Sequence, residues 1–226
     1  MRPRVLLAGA GGAVGTALDR HLRERGAQVI CAGRDAKRLG AELDPHAELL
    51  EVDLASRESV RRALCNQARF DTLVYNAGAL HLAPLLETTP EDFEACWRTN
   101  ALGAFLCAHT LAGPMIDHGR GAMIFVGATA SIRGGARSHA FASSKHALRG
   151  LASSLARELA PRGVHVAHVV LDGKVAGART RARFPTVKDE ECLDASAVAR
   201  AIAALIEQPR AAWTFEMDLR PSVERW

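Results

Sequence analysis

Short apolar runs alternate with helical patterns along the chain, and this alternation constrains its fold more than any other feature. Seven apolar runs predict strands at residues 4–9, 28–33, 48–52, 71–75, 122–126, 164–171 and 213–217. A helical pattern follows each of the first six, at residues 13–25, 35–43, 56–68, 90–116, 138–159 and 195–207. Strands that alternate with helices form a parallel sheet covered on both faces. The sequence therefore predicts an α/β fold with about seven parallel strands.

Length, charge and cysteine usage exclude several other classes of protein. The chain has 226 residues, 48% of them hydrophobic, which suits one domain over residues 1–226. Its net charge of +4 is spread along the sequence, so no nucleic-acid partner is expected. Five scattered cysteines without a C-x-x-C pair suit a reduced cytoplasmic protein and neither a disulfide framework nor a metal site. No apolar run approaches 18 residues, so no membrane span is expected.

A glycine-rich turn joins the first predicted strand to the first helix. Residues 8–15 have the sequence A-G-A-G-G-A-V-G. Glycine lets the backbone turn tightly and approach a pyrophosphate, which the helix N-terminus then stabilises. A strand, glycines and a helix in this order at the start of an alternating chain predict dinucleotide binding. The candidate contacts in this turn are Gly9, Gly11, Gly12, Val14 and Gly15.

The ends of the next three strands carry further candidate contacts. Arg34 follows strand two, where no acidic side chain is available to a ribose, and its guanidinium favours the 2′-phosphate of NADP(H) over NAD(H). The alternative is that Arg34 is a solvated loop charge. Asp53 and Leu54 follow strand three, and residues Asn76, Ala77 and Gly78 follow strand four. The polar side chains among them either contact a ligand or cap local backbone groups.

The helix at residues 138–159 carries a lysine inside its apolar stripe. Steps of three and four residues join Phe141, Ser144, Lys145, Leu148 and further leucines along this stripe. Lysine is almost never fully buried without a partner. Lys145 therefore either extends its ammonium group to water at the helix start or points into a ligand site.

These motifs resemble, in their order and spacing, the short-chain dehydrogenase/reductase family over nearly the whole chain. The glycine turn is similar to the family's T-G-x-x-x-G-x-G, with Gly9 and Gly15 in place and alanines at the threonine and middle glycine. Residues 76–78 match the family's N-A-G after strand four. The resemblance implies a Rossmann-type, doubly wound parallel sheet with helices on both faces. It also implies NAD(P)-dependent oxidation or reduction of a small carbonyl or alcohol substrate.

The resemblance further implies individual roles. Asp53 falls on the aspartate placed against the adenine, and Asn100 on the helix asparagine that holds a water in the proton relay. Lys145 matches the lysine of Y-x-x-x-K, which binds the nicotinamide ribose and lowers the pKa of the tyrosine. The family's P-G-x-V keeps only its glycine and valine, Gly173 and Val175.

The largest departure from the family lies at the positions of its catalytic tyrosine and serine. Phe141 stands where the family has its catalytic tyrosine, and Ala128 where it usually has its serine. A general acid is worth roughly 10²–10⁴ in rate and one oxyanion donor on the order of 10²–10³, so the usual mechanism cannot run with the usual groups. Another group can supply the proton, with Thr129 and Ser144 as the first candidates. Further candidates on the bordering loops are Ser131, Ser138 and His139.

Three explanations of these departures remain open: another proton donor, coenzyme binding without turnover, and a different reaction that needs no phenol. The leading prediction is an NADP(H)-dependent oxidoreductase with an altered proton donor, and the alternative is a catalytically silent NADP(H)-binding protein. Gly12 stands where NADP-preferring members often have a basic residue, which weakens the preference for NADP(H). The arginines of the loop at residues 174–193 favour either an acidic substrate or plain solvation. The family resemblance implies a homodimer or homotetramer.

Overall fold

The computed structural model describes residues 2–223 and contains one parallel sheet within that range. Its seven strands are arranged in the order β3-β2-β1-β4-β5-β6-β7. The strands are β1 (Arg4–Ala8), β2 (Gln28–Gly33), β3 (Glu48–Glu51), β4 (Thr72–Tyr75), β5 (Gly121–Val126), β6 (Val164–Leu171) and β7 (Glu216–Leu219). The predicted α/β sheet is therefore confirmed, including its parallel pairing.

Helices cover both faces of this sheet. They are α1 (Gly12–Glu24), α2 (Ala36–Glu42), α3 (Arg57–Leu64), α4 (Pro90–Trp97), α5 (Gly103–Asp117), α6 (His139–Leu159), α7 (Ala178–Arg183) and α8 (Ala195–Ile206). Successive side chains of a strand point to opposite faces, so Leu6 packs in one apolar cluster while Val5 and Leu7 pack in the other. Leu148 of α6 belongs to the first cluster, so the apolar stripe of this helix faces its own sheet.

The strand order reverses beside β1, which places a crevice at the carboxyl edge of the sheet. From β1 the chain builds outward through β2 and β3, then crosses to β4 on the other side. Ala8 pairs with both Ala32 and Tyr75, so the carboxyl ends of β1, β2 and β4 lie at one level. Ligands of open parallel sheets bind at such a reversal point.

Local capping groups begin the helices where the sequence predicts them. The Asp35 side chain accepts from the backbone N–H of Arg38 at 2.9 Å. The Ser56 hydroxyl accepts from the N–H of Ser59 at 3.3 Å. Because the first N–H groups of a helix have no partner within it, each cap fixes the first turn after a strand end.

Four predicted elements differ from the structure, and the first is the helix predicted at 56–68, which ends at Leu64. The helix predicted at 90–116 is two helices joined by a π-helical turn at Arg98–Leu102, and α5 continues past Pro114. The last strand begins at Glu216 rather than at Trp213, because Trp213 stacks on His165 with ring centroids 5.0 Å apart. The loop after β6 contains α7, a short helix that the sequence did not indicate. Within residues 2–223 no helix combines the length and apolar character that a bilayer span requires.

Candidate active site

Two cavities lie side by side at the carboxyl edge of the sheet. The first, of about 490 Å³, is lined by the ends of β1 to β4 and is called here the glycine cavity. The second, of about 670 Å³, is lined by residues after β1, β5 and β6 and by α6, and is called the lysine cavity. The residues common to both linings are Gly11, Arg38, Glu42, Asn76, Gly78 and Arg179. The two cavities therefore form one groove with a shared middle.

The glycine turn is shaped for close backbone approach. Gly9 has φ of +85°, and a Cβ there would overlap the backbone nitrogen of Ala77, so no other residue fits without strain. A Cβ at Gly15 would overlap the carbonyl oxygen of Ala10. The backbone N–H of Gly12 donates to the Glu42 carboxylate at 2.7 Å, which shows that this turn accepts an anion. The turn therefore fits the pyrophosphate of a dinucleotide.

Asn76 ties the end of β4 to the glycine turn. Its side-chain amide donates to the carbonyl of Gly9 at 2.8 Å, and its backbone N–H donates to the carbonyl of Ala8 at 2.8 Å. Across the glycine cavity, Asp53 is exposed and accepts from the N–H of Ala55 at 3.0 Å. Arg34 is exposed in the same lining. Asn76 and Asp53 thus each make a local structural hydrogen bond, and both line the glycine cavity together with Arg34.

Lys145 is buried, so its side chain does not extend to bulk water. Only 5% of the residue is exposed, and its Nζ donates to the backbone carbonyl of Val126 at 2.9 Å. The same Nζ lies 5.9 Å from the centre of the Phe141 ring, and both residues line the lysine cavity. Burial lowers the pKa of the Lys145 ammonium to about 8, because its partners are neutral.

Asn100 lies on the π-helical turn and is fully buried. Its Oδ1 accepts from the N–H of Ala79 at 2.8 Å, and its Nδ2 donates to the Ser144 hydroxyl at 2.8 Å. The Ser144 hydroxyl in turn donates to the carbonyl of Phe141 at 2.8 Å. A Cβ added to Gly78 would contact both Asn100 Oδ1 and Lys145 Nζ, at 3.4 and 3.7 Å. Asn100 and Lys145 therefore converge on Gly78, and Ser144 is hydrogen-bonded to Asn100.

The other candidate proton donors are hydrogen-bonded to other groups of the protein. The pairs are Thr129 Oγ1–Asp172 Oδ1 (2.7 Å), Ser131 Oγ–Ala128 N (3.1 Å), Ser138 Oγ–Gly135 O (2.7 Å) and His139 Nε2–Thr88 Oγ1 (2.8 Å). None of these four side chains belongs to either cavity lining. The only tyrosine of the sequence, Tyr75, is buried and donates to the carbonyl of Thr99 at 2.5 Å. No phenol therefore substitutes from elsewhere in the chain.

The structure brings most predicted site residues into the groove. Those in the glycine cavity alone are Gly9, Arg34, Asp53, Leu54 and Ala77, and those in the lysine cavity alone are Gly12, Val14, Ala128, Phe141, Lys145 and Val175. Predicted residues that lie outside both linings are Gly15, Asn100, Thr129, Ser144 and Gly173. Gly15 and Asn100 still act on the groove through packing and hydrogen bonding.

Sequence reasoning missed Arg38 and Glu42 in the middle of the groove, and considered Arg179 only as one of the loop arginines. Glu42 Oε1 accepts from Arg38 Nε at 3.0 Å and lies 3.4 Å from Arg179 Nη2. The N–H of Gly12 is the main cause that lowers the pKa of Glu42. Arg38 and Glu42 are four residues apart on a helix, which was the available signal.

A buried histidine was missed as well. His168 of β6 is fully buried, with Nδ1 3.0 Å from the Glu216 carboxylate and no partner at Nε2. A Cβ at Gly127 would overlap this Nε2, so the ring fills the space beside Gly127. Burial is the main cause that lowers the pKa of His168. A histidine within an apolar strand was the only sign in the sequence.

Comparisons with known proteins agree with this geometry. The chain is 33% identical to the vibriobactin-specific 2,3-dihydro-2,3-dihydroxybenzoate dehydrogenase of Vibrio cholerae, over 71% of this chain and 66% of that protein. The crystal structure of a short-chain dehydrogenase from Rhodopseudomonas palustris superposes with a TM-score of 0.82 at 32% identity, covering 97% of this chain and 98% of that one. A metagenomic short-chain oxidoreductase in complex with NADP has a TM-score of 0.82 at 26% identity, covering 98% of each chain.

The chain thus spans about two thirds of the length of the Vibrio cholerae dehydrogenase. A sequence model of the short chain dehydrogenase family matches residues 3–184, which contain the glycine turn, Asn76, Asn100 and Lys145. The groove, the strand order and these matches agree, and the chain belongs to the short-chain dehydrogenase family.

Proposed function

We propose that this protein is an NADP(H)-dependent oxidoreductase that interconverts a carbonyl and an alcohol group on a small molecule. In this proposal Lys145 takes the place of the tyrosine as proton donor. The carrying observation is that Lys145 is a buried, partly acidified ammonium in the lysine cavity beside Phe141. The hydroxyl and imidazole candidates are hydrogen-bonded elsewhere.

The coenzyme is held by the glycine turn, with Asn76 fixing that turn and Asp53 beside the adenosine end. When bound, a nicotinamide coenzyme supplies or accepts the hydride. Arg34 supports NADP(H) over NAD(H), because a guanidinium at the end of β2 suits a 2′-phosphate. The NADP complex of a similar oxidoreductase supports the same choice.

The proton step belongs to Lys145. At neutral pH its ammonium is charged, and a pKa of about 8 makes it a better acid than an ordinary lysine. In reduction, an N–H bond of Nζ breaks, the proton goes to the substrate oxygen, and the neutral amine takes a proton back from water. The Val126 carbonyl orients Nζ, while Asn100 and Ser144 brace the helix around it.

The test is deuteride transfer from 4-deuterated NADPH to a panel of aldehydes and ketones, followed by mass spectrometry. The wild type should label at least one alcohol product. Lys145→Met should lose about 10²–10⁴ in rate, the usual worth of a general acid. Lys174→Met is the matched control, because Lys174 is exposed and also lies near a phenylalanine, 5.2 Å from the Phe184 ring. Full activity of Lys145→Met would assign the proton to another group.

The second candidate function is a catalytically silent NADP(H)-binding protein. It is favoured by the apolar Phe141 and Ala128 in the lysine cavity, which leave the substrate side without a hydroxyl from these positions. Tight binding of NADPH without any labelled product across the panel would support this second function against the first.

Two further properties belong to the proposal. A homo-oligomer is supported by three large apolar side chains that α4 and α5 expose, Phe93, Trp97 and Phe105. Light scattering should then give a mass of two or four chains, and a monomer would contradict it.

A cytoplasmic location is supported by five free cysteines, of which Cys65 is exposed.

A further inference from the structure

An ion pair crosses the middle of the groove, between the glycine cavity and the lysine cavity. Glu42 is the last residue of α2, and Arg179 lies on α7, on the loop that follows β6. Their charged groups are 3.4 Å apart, and both residues line both cavities. The pair therefore joins opposite walls of the groove.

This bridge lies directly on the glycine turn. Glu42 Oε2 accepts from the N–H of Gly12 at 2.7 Å, and Arg38 holds the other carboxylate oxygen at 3.0 Å. A Cβ built on Gly11 or Gly12 would come within 3.3 or 3.2 Å of the Arg179 guanidinium. The anion-binding end of α1 is thus already occupied by a carboxylate and covered by a guanidinium.

A dinucleotide that fills both cavities must pass this point. Its two halves are joined by a pyrophosphate, and the first N–H groups of α1 are the donors that such an anion prefers. Two anions cannot share the N–H of Gly12, so Glu42 and the pyrophosphate compete for it. Arg179, in contrast, can pair with either anion.

We propose that Glu42 and Arg179 form a latch across the coenzyme groove. The coenzyme pyrophosphate displaces Glu42 from Gly12, and Arg179 passes from the carboxylate to the phosphates. Glu42 then weakens coenzyme binding, while Arg179 strengthens it. The latch rests on the proposed function, because it requires that the groove binds a dinucleotide.

The test is the dissociation constant of NADPH, measured by coenzyme fluorescence on the purified full chain. Glu42→Gln keeps the shape but removes the competing charge, and should tighten binding about tenfold, as expected for one charge-assisted hydrogen bond. Arg179→Ala should weaken binding about tenfold for the same reason. A plain surface ion pair would leave both constants unchanged, so the opposite directions identify the latch.

The matched controls come from a neighbouring ion pair between Arg181 of α7 and Asp189 on the loop that follows it. Arg181 and Asp189 are exposed and 3.0 Å apart, and neither lines the groove. Arg181→Ala and Asp189→Asn should therefore leave the NADPH constant unchanged. Equal thermal unfolding midpoints without coenzyme would show that the substituted chains are folded.

The outcomes separate the latch from the proposed function. If the wild type binds NADPH and the dissociation constant of Glu42→Gln is equal or larger, the latch is wrong. The proposal that the groove binds the coenzyme is then unaffected. If neither chain binds NADPH or NADH, the coenzyme function fails and the latch fails with it. Binding of NADPH by Glu42→Gln alone would support the latch and would contradict NADP(H)-dependent catalysis by the unmodified chain.

Discussion

The two cavities differ in how they meet the demands of coenzyme chemistry. The glycine cavity keeps the backbone turn, an asparagine that fixes it, and an arginine at the end of β2. The lysine cavity keeps Lys145 but has Phe141 and Ala128 where an acid and an oxyanion donor are expected. The glycine cavity is therefore shaped mainly by the backbone, whereas the character of the lysine cavity depends on the side chains at positions 128, 141 and 145.

This difference shows why the fold indicates the shape of the glycine cavity but does not indicate the chemistry of the lysine cavity. A Cβ at Gly9 or Gly15 would overlap backbone atoms, so the turn leaves little freedom at these positions. Positions 128 and 141 border the lysine cavity and are only half-buried, so the packing of the sheet does not dictate their side chains. The chemistry can change there without loss of the sheet.

The largest expected effect on the reaction rate comes from placing a phenol at position 141 and a hydroxyl at position 128. The double substitution Phe141→Tyr with Ala128→Ser should raise carbonyl reduction by about 10²-fold or more, because it adds a general acid and an oxyanion donor. Deuteride transfer to the aldehyde and ketone panel measures it. Phe184→Tyr, on a phenylalanine that lies outside both cavity linings, is the control and should leave the rate unchanged. No gain in the double variant would mean that the lysine cavity does not place a carbonyl beside residue 141.

The sequence predicted the sheet and the strand-end motifs because they follow from local rules. Apolar runs, glycines and caps act within a few residues, which is why Asn76 and Lys145 could be placed in advance. The π-helical turn at Arg98–Leu102, which positions Asn100, could not be predicted in the same way. Its hydrogen bonds join residues five apart instead of four, and no local pattern in the sequence indicates this change.

Contacts between distant segments were the other part that could not be predicted. Glu42 and Arg179 lie 137 residues apart in sequence, and neither belongs to a motif. Thr129 and Ser144 looked like available hydroxyls, but their partners, Asp172 and Asn100, are decided by the tertiary structure.

We expect substitutions in the glycine turn to lower the free energy of unfolding more than substitutions in the lysine cavity. Gly9→Ala should lower the free energy of unfolding by about 4 kcal/mol, since it combines backbone strain at positive φ with overlap against Ala77. Gly26→Ala is the control, with the same φ of +85° and no atom within 4 Å, so it should cost only about 1–2 kcal/mol. Urea unfolding measures both. Equal losses would mean that close approach to Ala77 contributes nothing.

Lys145 should make the free energy of unfolding depend on pH. Its pKa in the folded chain is about 8, below the roughly 10.4 of an unfolded lysine. Between these pH values the unfolded chain binds more protons, so Lys145 makes stability rise with pH. Relative to Lys145→Met, the wild type should gain on the order of 3 kcal/mol in unfolding free energy from pH 7 to above pH 10.

The reference to Lys145→Met is needed because other buried groups act in the opposite direction. Burial raises the pKa of the Cys107 thiol to about 12 and that of Tyr75 well above its usual value, and both make stability fall at high pH. They are present in both chains, so the difference isolates the lysine. A difference that does not change with pH would mean that the Lys145 ammonium is not desolvated.

The smallest expected effect concerns the choice between the two coenzymes. Arg34→Ala should weaken NADPH binding by about tenfold and leave NADH nearly unchanged, because an exposed guanidinium contributes mainly through the 2′-phosphate. Lys37→Ala is the control, since Lys37 is exposed on α2 and lies outside both cavity linings. Titration of both reduced coenzymes by fluorescence gives the ratio of their dissociation constants. An unchanged ratio would make Arg34 a solvated loop charge, and the glycine cavity would then bind the two coenzymes through features that they share.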